Sequence, residues 1–142
     1  MIGIKPASVL ALVAVTLLAA PSLRAEDRMR PGLWEVVSTL DGKPSGAPHS
    51  TCYTPAMVEI ANMPVKALRE ATEKAVTKGG LCTMKDFKMD GNTISMTQVC
   101  GSKSSAITST YSQDSFDTLF TSTEGGVATV VHMKGRRLGA CK

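Results

Sequence analysis

Four cysteines, Cys52, Cys82, Cys100 and Cys141, are the tightest constraint on what this 142-residue chain can fold into. They form an even set spaced by 30, 18 and 41 positions, with no Cys-x-x-Cys among them. Zinc knuckles and thioredoxin-type redox pairs need that close spacing, so two structural disulfides are expected. Disulfides persist in oxidising compartments, which points outside the cytoplasm. Three pairings are possible from sequence. The preferred one joins Cys52 to Cys82, clamping both ends of a helical insertion, and Cys100 to Cys141, tying down the C-terminus. Each bridge then stabilises the fold by up to about 4 kcal/mol in the chain-entropy relation.

An exported chain needs a leader, and residues 1–25 have the form of one. Lys5 precedes Val9 to Ala20, twelve residues without a charge, and cleavage after Ala25 leaves a mature chain beginning at Glu26. Twelve apolar residues are too few for a bilayer span, which takes about 20, so no stable membrane anchor is expected after cleavage. A single domain, 26–142, is expected. Lys5 and Arg24 leave with the leader, so the formal charge falls from +4 to +2. That excludes a strongly basic nucleic-acid binder. The basic residues Lys66, Arg69, Lys74 and Lys78 alternate with Glu70 and Glu73 as on a solvated helix face. Leu, Ile, Val and Phe supply only 21 of the 117 mature residues, a thin core that makes the disulfides matter more.

The mature chain divides by hydrophobic period. Leu33 to Leu40 alternates as a strand, Asp41 to Pro48 has two Gly and two Pro and forms a loop, and His49 to Tyr53 is a short returning strand. Thr54-Pro55 is a helix-start signal, and Asn62 with Pro64 repeats it ahead of a stripe at Val65, Leu68, Ala71/Thr72, Ala75 and Val76, ended by Gly79-Gly80. From Cys82 onward five strands follow: Cys82–Met89, Thr93–Cys100, Ala106–Ser112, Phe116–Thr123 and Val127–Lys134. Their short connections demand antiparallel neighbours. Between Thr93 and Thr123, 15 of 31 residues are Ser or Thr, alternating with apolar ones, so one face is wet and the other moderately apolar. The expected fold is mainly β (α+β). An antiparallel meander of about seven strands curves into a half-barrel or open barrel, with a helical insertion after the second strand.

Several of these segments together resemble a known family. They are Arg30-Pro31-Gly32-Leu33-Trp34-Glu35-Val36, Cys52-Tyr53-Thr54-Pro55, Cys82, Gly91-Asn92-Thr93 ahead of Cys100, and Gly135-Arg136-Arg137-Leu138-Gly139-Ala140-Cys141. They look like a small exported proteobacterial family catalogued as domain of unknown function number thirty-six-seventeen, over nearly the whole mature chain. The resemblance implies a periplasmic, single-domain, β-rich protein with paired cysteines and transfers no catalytic residue. Met-Pro repeats after the first strand are a family habit that this chain lacks, since Asp41 to Pro48 has no Met.

Nothing in the sequence assembles an enzyme. Gly-x-Ser-x-Gly and Ser-x-x-Lys are absent, and neither His49 nor His132 has a sequence-local partner to orient it. No cofactor is implied. Seven methionines follow residue 26, with no Met-x-Met, and their simpler use is filling gaps in a core poor in aromatics. Copper handling through His132 and Met133 is the alternative, although neighbouring strand residues face opposite ways. Arg136 and Arg137 with Glu35 and Trp34 suggest a structural clasp between the chain ends, or an anion site at the sheet mouth. The favoured function is a periplasmic or secreted, non-enzymatic binding module. Its concave face, with Trp34, Val36, Met96, Ile107, Tyr111, Phe120 and Arg136, holds a small apolar ligand or a segment of an envelope partner.

Overall fold

A computed structural model describes residues 27–142; the expected leader, 1–25, and Glu26 lie outside the described residues. Eight strands form one antiparallel sheet, and two helices are inserted between the third and fourth. The strands are β1 (Gly32–Leu40), β2 (Lys43–Pro44), β3 (His49–Tyr53), β4 (Cys82–Asp90), β5 (Thr93–Cys100), β6 (Lys103–Ser112), β7 (Ser115–Glu124) and β8 (Val127–Gly139); the helices are α1 (Pro55–Asn62) and α2 (Val65–Thr77). The sheet order is β2-β1-β8-β7-β6-β5-β4, with β3 also on β1. It remains open, ending at β4 on one side and at β2 and β3 on the other. The expected seven strands thus become eight because a two-residue pairing inside the predicted loop, Thr39 with Pro44 and Leu40 with Lys43, adds β2. The insertion therefore follows the third strand. Among the described residues, no helix is long and apolar enough to cross a membrane.

The last strand is longer than its apolar pattern suggests. Gly135 to Gly139, expected to trail behind it, continues β8 and pairs with Leu33 to Val36 of β1. The two ends of the domain are joined by this ladder. Glu35 lies opposite Arg136 and accepts a hydrogen bond from its guanidinium at 3.0 Å, while Arg137 Nε donates to the Pro31 carbonyl at 2.9 Å. Both guanidinium groups act as the clasp.

Thr54 caps α1, its hydroxyl accepting from the Met57 N–H, and Pro55 occupies the first turn, where its missing N–H is no loss. Asn62 does not repeat that role for α2, which has no side-chain cap. Instead its amide donates to the Met29 carbonyl at 2.8 Å and accepts from the Met29 N–H at 2.9 Å. Beside it, Arg28 donates to the carbonyls of Ala61 and Met63 at the end of α1, where unpaired carbonyls favour a cation. The lead into β1 is thus packed into the fold, with Arg28 and Met29 both buried.

The preferred disulfide pairing is wrong. The bridges are Cys52–Cys141 and Cys82–Cys100. The sheet order supplies the reason. β3 and β4 bracket the helices in sequence but lie at opposite edges of the sheet, so Cys52 and Cys82 cannot meet. Cys82 stands directly opposite Cys100 in the β4–β5 ladder, with 4.2 Å between Cα atoms. Cys52 pairs with Leu33 on one side of β1, and Leu33 pairs with Gly139 on the other, so the tail beyond Gly139 needs only to cross the start of β1. Two such bridges fit an oxidising environment outside the cytoplasm.

The core is a cluster of Met29, Trp34, Val36, Val58 and Phe116. Trp34 is fully enclosed, its indole N–H donating to the Arg30 carbonyl at 3.1 Å. The Tyr53 ring meets it edge-on with centroids 6.0 Å apart, and the Phe116 ring lies 5.8 Å away. Phe116 fits because Gly135, its cross-strand partner, has no side chain; a Cβ there would stand 2.0 Å from the ring.

Candidate functional site: an apolar cavity under the helices

Antiparallel register puts cross-strand partners on the same face, and the concave wall is built in rows accordingly. One row runs Val36, Gly135, Phe116, Tyr111; the next runs Ser38, Met133, Thr118, Ser109, Ile94; a third runs Leu40, Val131, Phe120, Ile107, Met96. The outer rows are largely apolar, whereas the middle one has small hydroxyl residues at Ser38, Thr118 and Ser109. Ser109 and Thr118 share a hydrogen bond at 2.9 Å, which lowers the polar demand of the wall. Small side chains there leave room beneath the helices.

The room is a cavity of about 540 Å³, within the range of small-molecule sites. Its floor includes Val36, Met96, Ile107, Tyr111 and Met133, and Met57, Ile60 and Ala61 of α1 with Leu68 and Thr72 of α2 form the roof. Met57 and Ile60 are more than half exposed (53% and 56%) while lining the cavity, so they mark its mouth. No Asp, Glu, Lys or Arg is in the lining; its titratable groups are His49, Tyr53 and Tyr111. Burial holds the Tyr53 phenol above its ordinary 10.0, and the nearby Tyr111 adds in the same direction. The Tyr53 ring therefore presents a neutral hydroxyl.

A bulge in β4 shapes one side of the wall. Lys85 pairs with Thr97 but Lys88 pairs with Ser95, so Asp86 and Phe87 together oppose Met96. Asp86 takes a left-handed conformation (φ 53°), and the alternation shifts by one residue. Phe87 consequently lines the cavity, where an unbroken strand would have turned Asp86 inward with Met84.

Of the residues expected on the concave face, Val36, Met96, Ile107 and Tyr111 line this cavity. Trp34 is sealed in the core beside it, and Phe120 shares a row with Ile107 but stays outside the lining. Arg136 is turned away, 70% exposed and paired with Glu35. His132 and Met133 part company: Met133 lines the cavity, while His132 Nε2 lies 2.6 Å from Asp117 Oδ1 among exposed groups. That hydrogen bond is the largest influence holding the Asp117 carboxyl below its ordinary 3.8, and Lys134, 3.5 Å away, acts in the same sense. Among the described residues, no three His, Cys, Asp or Glu side chains are grouped to hold a metal ion. Tyr53, Met29, Phe87 and Leu68 were not anticipated. Parity within the ladders would have found Phe87 only with the bulge known, and Met29 follows from packing that no local pattern signals.

A family model described as a protein of unknown function (DUF3617) matches residues 29–141. The chain belongs to that family. No curated protein and no solved structure matches it. The match spans the DUF3617 domain from the buried Met29 to the cysteine that closes the terminal bridge.

Proposed function

We propose that this DUF3617 domain is a non-enzymatic binding module of the periplasm that holds a small apolar ligand, or an apolar segment of an envelope partner, between its concave sheet and α1–α2. One observation carries the reading: a cavity of about 540 Å³ with a mainly apolar lining and half-exposed Met57 and Ile60 at its mouth. An apolar occupant gains roughly 25 cal/mol for each Å² of apolar surface it removes from water. Native mass spectrometry of protein purified from its own periplasm is expected to show added mass. Replacing Ile107 with Trp, which fills the cavity from the floor, removes that mass while the far-ultraviolet circular dichroism is retained. Repeatedly ligand-free spectra with no co-purifying partner would overturn the proposal.

Copper handling is a second reading with one observation behind it: Met29, Met57, Met96 and Met133 line the same cavity, and thioethers suit Cu(I). A Cu(I) titration tests it. Tight binding that is lost when Met96 and Met133 are both replaced by Leu supports it, and affinity unchanged by that pair removes it.

A further inference from the structure

The cavity is not uniformly greasy, and the placement of its polar groups narrows what it can hold. Tyr111 begins one end of the wall at the row shared with Phe116, and Ile107 sits two rows away on the same strand, with Met96 beside it. Four residues of strand separate Tyr111 from Ile107, about 13 Å at about 3.3 Å per residue. Tyr53, held edge-on by Trp34, joins Tyr111 at the first end. Both rings pack against the core cluster, Tyr53 also edge-on to Trp34, so the hydroxyls are positioned in advance. No side-chain hydrogen bond from another described residue engages the Tyr53 hydroxyl.

We propose that Tyr53 and Tyr111 form the polar pole of the cavity and that its ligand is an uncharged, single-chain amphiphile. The terminal oxygen of that ligand accepts hydrogen bonds from the two phenols, and its alkyl chain lies along Ile107 and Met96 beneath Leu68. This rests on the cavity-binding reading above and deepens it. Charge is disfavoured by the lining, which has no Lys or Arg to pair a carboxylate and no Asp or Glu to pair an amine, and whose one imidazole, His49, is solvent-exposed at the edge strand β3; an unpaired charge taken out of water there is strongly penalised. An oxygen at the pole is favoured because an occupant that covers the two half-buried phenols takes their hydroxyls away from water, and a ligand oxygen there replaces the bonds lost. Methionine side chains adapt to a flexible chain more readily than branched ones, and Met29, Met57, Met96 and Met133 supply that adaptability.

The test uses displacement of the uncharged fluorescent dye N-phenyl-1-naphthylamine from the intact mature protein by decan-1-ol, decane and decanoate. The Tyr53→Phe and Tyr111→Phe variants, which keep both rings, are measured beside the wild type, with thermal melting to establish that they fold. Each substitution is expected to raise the alcohol concentration for half-displacement about three- to tenfold, the range of a single hydrogen bond, and to leave the decane value unchanged. Decanoate at pH 8 is expected to displace the dye more weakly than decan-1-ol. Alcohol and alkane values that shift together, or not at all, in the variants overturn the polar pole while leaving the cavity-binding reading intact. Decanoate displacing more strongly than the alcohol overturns the uncharged class. Failure of dye and ligands alike to bind the wild type overturns both readings.

Discussion

Cys52 and Cys141 are 89 positions apart, and Cys82 and Cys100 only 18, so the two bridges should differ in what they contribute. A bridge stabilises chiefly by restricting the unfolded chain, and the restriction grows with the loop it closes. The chain-entropy relation gives about 4.6 kcal/mol for the long loop and about 3.2 for the short one, a difference of about 1.4 kcal/mol. Local structure acts in the same direction. The short bridge joins residues already opposed across seven ladder pairs of the β4–β5 hairpin, whereas the long one secures β3 and the C-terminal tail on either side of β1. Two double variants, C52A/C141A and C82A/C100A, isolate the effects, each measured by guanidinium unfolding with the remaining bridge oxidised. The first is expected to be the less stable and to melt about 6 °C below the second, taking about 4 °C per kcal/mol for a domain of this size. Its denaturant slope should also rise more, because its unfolded state expands further. If C82A/C100A proves equally or more destabilised, loop entropy is not what these bridges supply, and the reasoning fails.

Gly135→Ala is expected to cost about 1–3 kcal/mol, the range for overpacking, since the new Cβ would meet the Phe116 ring while the backbone at Gly135 needs no left-handed angle. Combining it with Phe116→Leu should cost less than the two changes added; strict additivity in unfolding measurements would contradict the clash. Asp117→Asn tests the exposed His132–Asp117–Lys134 cluster. The folded carboxyl is held below its ordinary 3.8, so its contribution is present above that value and fades as pH falls through it and then through the lowered value. Melting temperatures of the wild type and the variant should therefore differ only slightly at pH 7, reflecting less than about 1 kcal/mol of stability for so exposed a pair. They should converge toward pH 2, and a gap that stays constant across this range would refute the linkage.

Much of the architecture is written locally. Alternation at Trp34 and Val36, the Thr54-Pro55 start of α1 and the turn at Gly91-Asn92 each place an element where the fold has it, because period, capping and turn chemistry act within a few residues. The concave wall was half legible for the same reason. Val36, Met96, Ile107 and Tyr111 could be assigned to it by parity, but Trp34 could not be told from a lining residue, since depth behind a wall leaves no mark on alternation. Arg136 was misplaced because the strand ladder of β8 extends past its apolar stretch, so that the register with Glu35 decides which way the side chain points.

By itself the sequence determined most of the secondary elements, though not β2 or the extension of β8, together with the antiparallel pairing of strands joined by tight turns and an even set of cysteines. Only the tertiary structure decided which cysteines meet. A hairpin turning at Gly91-Asn92, where Asp90 faces Thr93, would set Thr83 opposite Cys100 and carry Cys82 one position past it; the bulge at Asp86–Phe87 takes up the extra residue of β4 and brings the two cysteines into line. The same bulge turns Phe87 into the cavity. Cys52 and Cys141 meet because β1 takes β3 on one side and β8 on the other, a choice that depends on the first and last long strands of the chain pairing with one another. Pairings between distant strands are fixed by the collective burial of their faces rather than by local propensity, which is why the cysteines could be counted from the sequence but not joined.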